Sequence, residues 1–107
     1  MASKIEFVKF IVDQLCNAGE ITYRKMFGEY GVYCDGKIFA LICDDQLFVK
    51  ITKAGRKRYP HLPEAPPYEG GKNYFFIEDV DNREMLTELT MVTCEELPKP
   101  KPKKKKG

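Results

Sequence analysis

Four cysteines, a single histidine and a few paired carboxylates are the residues of this 107-residue chain with the means to hold a metal or to catalyse. Cys16, Cys34, Cys43 and Cys94 form no C-x-x-C pair, and His61 stands alone in its stretch. Zinc sites usually present their soft ligands as close pairs, so the spacing predicts neither a metal site nor a cofactor. A Cys34–Cys43 disulfide is not expected either. If Asp35-Gly36 is a two-residue turn, Cys34 faces Lys37 and Cys43 falls opposite Gly28, far from its sulfur. The cysteines read as buried free thiols, and neither metal nor disulfide is expected to hold the fold. His61, amid prolines, reads as a solvated loop residue. Asp44-Asp45 reads as a hairpin tip, and Asp79 and Asp81 as helix-entry residues that complement a helix dipole. No nucleophile, base and orienting group assemble, so no catalytic residue is assigned.

The segment Arg24-Lys25-Met26-Phe27-Gly28-Glu29-Tyr30-Gly31-Val32-Tyr33 is the most unusual in the chain. Glycine inside a strand marks a bulge or a close backbone approach, and aromatics are spaced around both glycines. A bulged strand filling the core and a recognition surface showing a tyrosine hydroxyl are both compatible with this pattern. A phosphate cradle is not, because no helix N-terminus or P-loop lysine follows Gly28-x-x-Gly31.

Charge is unevenly placed. The net charge is +2, but six of the eighteen basic residues are lysines in the last nine positions. The remainder carries twelve basic and sixteen acidic residues, a net of −4, so the body is not a general polyanion binder. Lys50, Lys53, Arg56, Lys57 and Arg58 form its one basic cluster, read either as a solvated face or as a polyanion contact. The lysine tail predicts weak, salt-sensitive, non-specific attraction to nucleic acid.

These residues must be positioned by a small number of elements. Residues 4–18 carry apolar side chains at helical spacing (Ile5, Val8, Ile11, Val12, Leu15), with Ser3 and Glu6 as a capping box and Gly19 as a stop. Three strands follow: a glycine-interrupted one from Ile21 to Cys34, then Lys37–Cys43 and Gln46–Ile51, with Asp35-Gly36 as the strongest hairpin signal. Thr52 caps a short helix over Lys53–Tyr59. A second hairpin runs from Tyr68-Glu69 through Gly70-Gly71 to a strand over Asn73–Glu78. Asp81 and Glu84 open a last helix whose apolar stripe is Met85, Leu86, Leu89, Val92 and Leu97, ended by Pro98. The expected fold is α+β, in the order α-β3-α-β2-α: a two-layer, antiparallel sheet (a three-strand meander plus a hairpin) packed against two long helices. Residues 1–97 form the domain, and 98–107 a disordered Lys/Pro tail. The sheet face away from the helices is left for solvent or for a second copy of the chain. No stretch suggests a membrane span or secretory signal, so the cytoplasm is the expected location.

Arg24-x-Met26-Phe27-Gly28-x-Tyr30-Gly31-Val32-Tyr33, then Asp35-Gly36, Phe39-Ala40-Leu41-Ile42 and Asp45-x-Leu47-Phe48-Val49-Lys50, resembles the N-terminal domain of TfoX/Sxy-type competence regulators. Tyr68-Glu69 and Tyr74-Phe75 are similar to that family's second hairpin, so the resemblance covers roughly residues 5–95. The resemblance implies a secretion-chaperone-like fold and a non-enzymatic role. In full-length regulators, that role is exercised with a cyclic-AMP-responsive activator at competence promoters. The resemblance does not extend to their second, helical domain, and the chain carries Asp79-Val80-Asp81 where many relatives place a proline. The leading expectation is a protein-interaction module linked to the transcription machinery, with Arg24, Met26, Phe27, Gly28, Tyr30, Gly31 and Tyr33 as the motif that binds the partner or shapes the backbone. A nucleic-acid-binding accessory domain acting through the basic cluster and tail is the second class. A small-ligand module or enzyme on the aromatic sheet surface is the third.

Overall fold

The computed structural model describes residues 3–26 and 29–98. Along the chain, α1 (Ile5–Leu15) leads into β1 (Ile21–Met26), β2 (Glu29–Cys34), β3 (Lys37–Cys43) and β4 (Gln46–Val49). There follow α2 (Lys53–Arg58), β5 (Glu64–Ala65), β6 (Tyr74–Ile77) and α3 (Arg83–Glu96). The six strands form one antiparallel sheet in the order β1-β2-β3-β4-β6-β5. The α+β class is as expected, but the opening meander has four strands rather than three. What reads in sequence as one glycine-interrupted strand is a hairpin, in which Met26 stands opposite Glu29 and Ile21 opposite Cys34. Phe27-Gly28 is not one of the dipeptides that announce a tight hairpin, which is why the reversal is hard to see in sequence.

Two turns have the backbone their residues favour. Asp35 (φ 52°) and Gly36 (φ 83°) link β2 to β3, and Asp44 (φ 54°) and Asp45 (φ 57°) link β3 to β4. Positive φ at both central positions matches the right-handed twist of the flanking strands. Between the turns the β2–β3 ladder slips: Tyr33 pairs with Ile38 but Val32 with Ala40, leaving Phe39 as the extra residue of a bulge. The bulge therefore lies on β3, not at the glycines. It drives Phe39 to 0% exposure in the core. It also corrects the expected register, since Tyr30 pairs with Ile42 and the next step along the ladder sets Cys43 beside Glu29 rather than Gly28.

One row across the sheet faces the helices: Tyr23, Val32, Ala40, Val49 and Phe75 are successive cross-strand partners. Val8, Ile11 and Leu15 of α1 and Leu86 and Leu89 of α3 close over that face. The buried stripe of α3 also takes in Thr90, Thr93 and Cys94, polar or small residues that an apolar pattern does not reveal. Met85, Val92 and Leu97 only flank the core.

Several caps and pairings differ from expectation. Ser3 does not cap α1; Lys4 holds the N-cap position without a side-chain bond. Instead Ser3 donates through its N–H and Oγ to Glu29 Oε1 (3.0 and 2.8 Å). It also accepts from the Asp45 N–H at 2.9 Å. Glu29 further accepts from the Asp44 N–H at 2.9 Å, so the carboxylate ties α1 to the β3–β4 turn. The cap of α3 is Asn82, which accepts from the Met85 N–H at 3.1 Å, not Asp81. On the side of β6 away from β4, the paired strand is Glu64–Ala65, inside the proline-rich connection, rather than Tyr68-Glu69. Thr52 does cap α2, accepting from the Gly55 N–H at 3.0 Å.

Candidate interaction surface

Alternation along a strand sends successive side chains to opposite faces. In the β1–β2 hairpin this divides the distinctive motif in two. Arg24, Met26, Gly31 and Tyr33 lie on the face turned away from α1 and α3. Tyr30 lies on the helix side, where its ring meets Tyr23 edge-on at a centroid distance of 5.9 Å. Tyr30 and Tyr23 pack against the core there. Phe27 and Gly28, the remaining members, lie outside the described residues.

The helix-free face carries its own cross-strand row: Arg24, Gly31, Leu41, Phe48 and Phe76. Arg24 is exposed and Leu41 and Phe76 are half-buried, as are their neighbours Met26, Tyr33 and Ile38. Phe48 and Phe76 stack with centroids 5.4 Å apart. Gly31 lies under two of these side chains. A β-carbon built there would stand 3.0 Å from both Met26 Cε and Ile38 Cδ1, so the glycine permits a close approach. At one end of the face is a cleft of about 520 Å³, lined by Met26, Glu29, Leu41, Cys43, Asp44, Pro67 and the 59%-exposed Tyr68, and reached at its edge by Tyr30.

The basic cluster is partly neutralised within the fold. Arg56 pairs with Glu64 at 3.1 Å. Arg58 pairs with Glu88, which also accepts from the Tyr59 hydroxyl. That hydroxyl, followed by burial opposing it and Arg58 reinforcing it, holds the Glu88 carboxyl below the usual range. Lys53 and Lys57 are exposed, and Lys50 is half-buried.

All four cysteines are free thiols, three of them buried. Burial, then the adjacent Cys94, pushes the Cys34 thiol up to about 12. Burial, with Glu29 and Asp44 adding to it, takes Cys43 to about 11. Both are protonated at neutral pH, the opposite of an activated nucleophile. His61 is exposed in the connection after α2. Cys34 and Cys94, sixty positions apart, are neighbours because α3 ends beside the β2–β3 turn, and the Cys94 thiol donates to the Cys34 carbonyl at 3.5 Å. Nothing in the linear spacing reveals that proximity.

A four-strand meander extended by a crossover hairpin, with a distinctive motif on its first two strands, defines a recognisable domain class. The model of the TfoX N-terminal domain matches residues 13–92, and the chain belongs to that family. A protein of Spirochaeta aurantia, described as an uncharacterized 12.7 kDa protein in the trpE 5′ region, is 36% identical over 107 residues. That match spans 99% of this chain and 93% of the relative.

Proposed function

We propose that this protein is a non-enzymatic regulatory module of the secretion-chaperone-like class. It would bind a protein partner through the helix-free sheet face, in the cytoplasm, as a competence-linked co-regulator of transcription. The observation that carries the reading is the helix-free face, where Met26, Tyr33, Ile38, Leu41 and Phe76 remain half-buried around the buried Gly31 and Phe48, although the other sheet face is closed by helices. Aromatic, methionine and arginine side chains around an apolar centre are the composition that protein interfaces favour. Family membership supports a regulatory role, and the raised buried thiols weigh against nucleophilic chemistry. No helix among the described residues is long and apolar enough to cross a membrane.

The test is co-purification from the native cell with wild type, Arg24→Glu and Tyr33→Ala, each shown first to melt as the wild type does. A partner held by wild type and lost with both variants is the expected result. A partner retained by both, and lost on reversing Lys53 and Lys57, would move the contact to the basic cluster.

A further inference from the structure

The turn end of the β2–β3 hairpin assembles a ligand set that no sequence motif announces. The Cys34 and Cys94 sulfurs and a carboxylate oxygen of Asp35 all lie within 4.8 Å of one another. Cys34 is 0% exposed and Cys94 7%, whereas Asp35 reaches solvent. Asp35, Lys37 and Cys94 also line a broad groove along α3, of about 1230 Å³. We propose that Cys34, Asp35 and Cys94 form a binding site for a soft divalent cation of the zinc type, its fourth position open to water from the groove.

The chemistry of the three donors fits that ion. Two thiolates and a carboxylate are zinc ligands, and tetrahedral coordination at Zn–S of about 2.3 Å sets the sulfurs about 3.8 Å apart. Binding releases the two thiol protons to solvent, and the resulting site has a formal charge of −1. Lys37 supplies the balancing charge, because its Nζ donates to the Cys94 carbonyl at 2.8 Å.

The surroundings already orient the donors. The Glu20 N–H donates to Asp35 Oδ1 at 3.0 Å, and the Asp35 N–H returns to the Glu20 carbonyl at 2.9 Å. This fixes one carboxylate oxygen and leaves the other for an ion. Outer partners of this kind usually hold metal ligands in place. Gly19 keeps the adjacent space open: a β-carbon there would stand 2.8 Å from Cys34 Sγ and 3.3 Å from both Asp35 oxygens. A disulfide between the same sulfurs would need neither the carboxylate nor the ammonium. Cys34 and Cys94 are themselves members of the core cluster, whose other members are apolar side chains, so the ion is expected to add to a fold already held by those contacts.

The experiment titrates the reduced full-length chain with Co²⁺ and Cd²⁺, followed by competition with Zn²⁺. One equivalent is expected to produce a thiolate-to-metal charge-transfer band, the cobalt spectrum should be tetrahedral, and zinc should displace cobalt. Asp35→Asn, at an exposed position, and Cys94→Ser should each weaken binding by about tenfold or more. Cys16→Ser, at the exposed cysteine, should leave binding unchanged. Absence of the band, its survival at full affinity in a folded Asp35→Asn variant, or its loss in Cys16→Ser would overturn the site. So would a Cys34–Cys94 disulfide forming under mild peroxide in a chain that takes up no metal.

Discussion

At the scale of single residues, glycines show how the same absence of a side chain serves different ends. Gly31 has no positive φ, so its requirement is space rather than backbone freedom. The neighbours of a new β-carbon there are the far ends of Met26 and Ile38, which can give way. Gly55 is tighter. A β-carbon on it would stand 2.9 Å from Cε2 of Phe75, a ring 1% exposed in the core, and 2.9 Å from the capping Thr52 Oγ1. Gly55→Ala should therefore destabilise by about 2 kcal/mol in urea titrations, despite alanine's better helix propensity, and Gly31→Ala by about 1 kcal/mol or less. The reverse ranking would show that the Phe75 ring can move. Linear reasoning singled out Gly31 because it interrupts a strand pattern. Gly55 gives no such signal, since its constraint comes from a ring twenty positions further along the chain.

At the scale of elements, what was legible depended on whether an element is specified locally. The Asp35-Gly36 turn and the Thr52 cap are set by neighbours in sequence and are present as read, whereas the α1 face is so only in part: Val8, Ile11 and Leu15 are buried, but Ile5 is exposed, Val12 is half-buried and Gln14 is buried in their place. The β5 strand is only two residues long and exists because β6 offers an edge, so the proline-rich segment that contains it looks like a plain connection. The start of α2 combines both cases. Beside the local Thr52 cap, its first N–H groups are satisfied from far away, by Glu96 at the end of α3. The Ala54 N–H donates at 2.9 Å and the Lys53 N–H at 3.0 Å. These bonds, the Ala54 one foremost, hold the Glu96 carboxyl below its ordinary range. A carboxyl lowered on folding adds stability above its unfolded pKa and loses it as pH falls through the folded value. Glu96→Gln should melt below wild type at neutral pH, and the gap should close as the pH drops below the ordinary glutamate value of about 4.3. A gap that is constant with pH would mean that the charge contributes nothing.

For the whole molecule, the sheet and its helices were legible as an α+β sandwich, and the candidate surface only in part. Strand alternation assigns Arg24, Met26, Gly31 and Tyr33 to one face once the β1–β2 hairpin is known, and that hairpin is what the sequence hides. The basic cluster looked continuous in sequence because its acidic partners, Glu64 and Glu88, come from elsewhere in the chain. With those arginines engaged, residues 98–107 should supply most of any affinity for duplex DNA. Their deletion should abolish salt-sensitive binding in fluorescence anisotropy and leave the melting temperature nearly unchanged, because Leu97 is the last of the described residues to pack against the core. Salt-resistant, sequence-selective binding by the truncated chain would instead point to a nucleic-acid interface on the body. The Glu29 carboxylate, with Ser3 and the Asp44 and Asp45 amides around it, has a kinetic consequence as well. An exposed hairpin tip and a chain terminus ordinarily exchange their amide hydrogens fast and separately. Here the Ser3, Asp44 and Asp45 amides should be slowed together, and Glu29→Gln should release Ser3 and Asp44 in hydrogen–deuterium exchange while the centre of the sheet stays protected. The start of the chain and a turn some forty residues away would then open as a single unit.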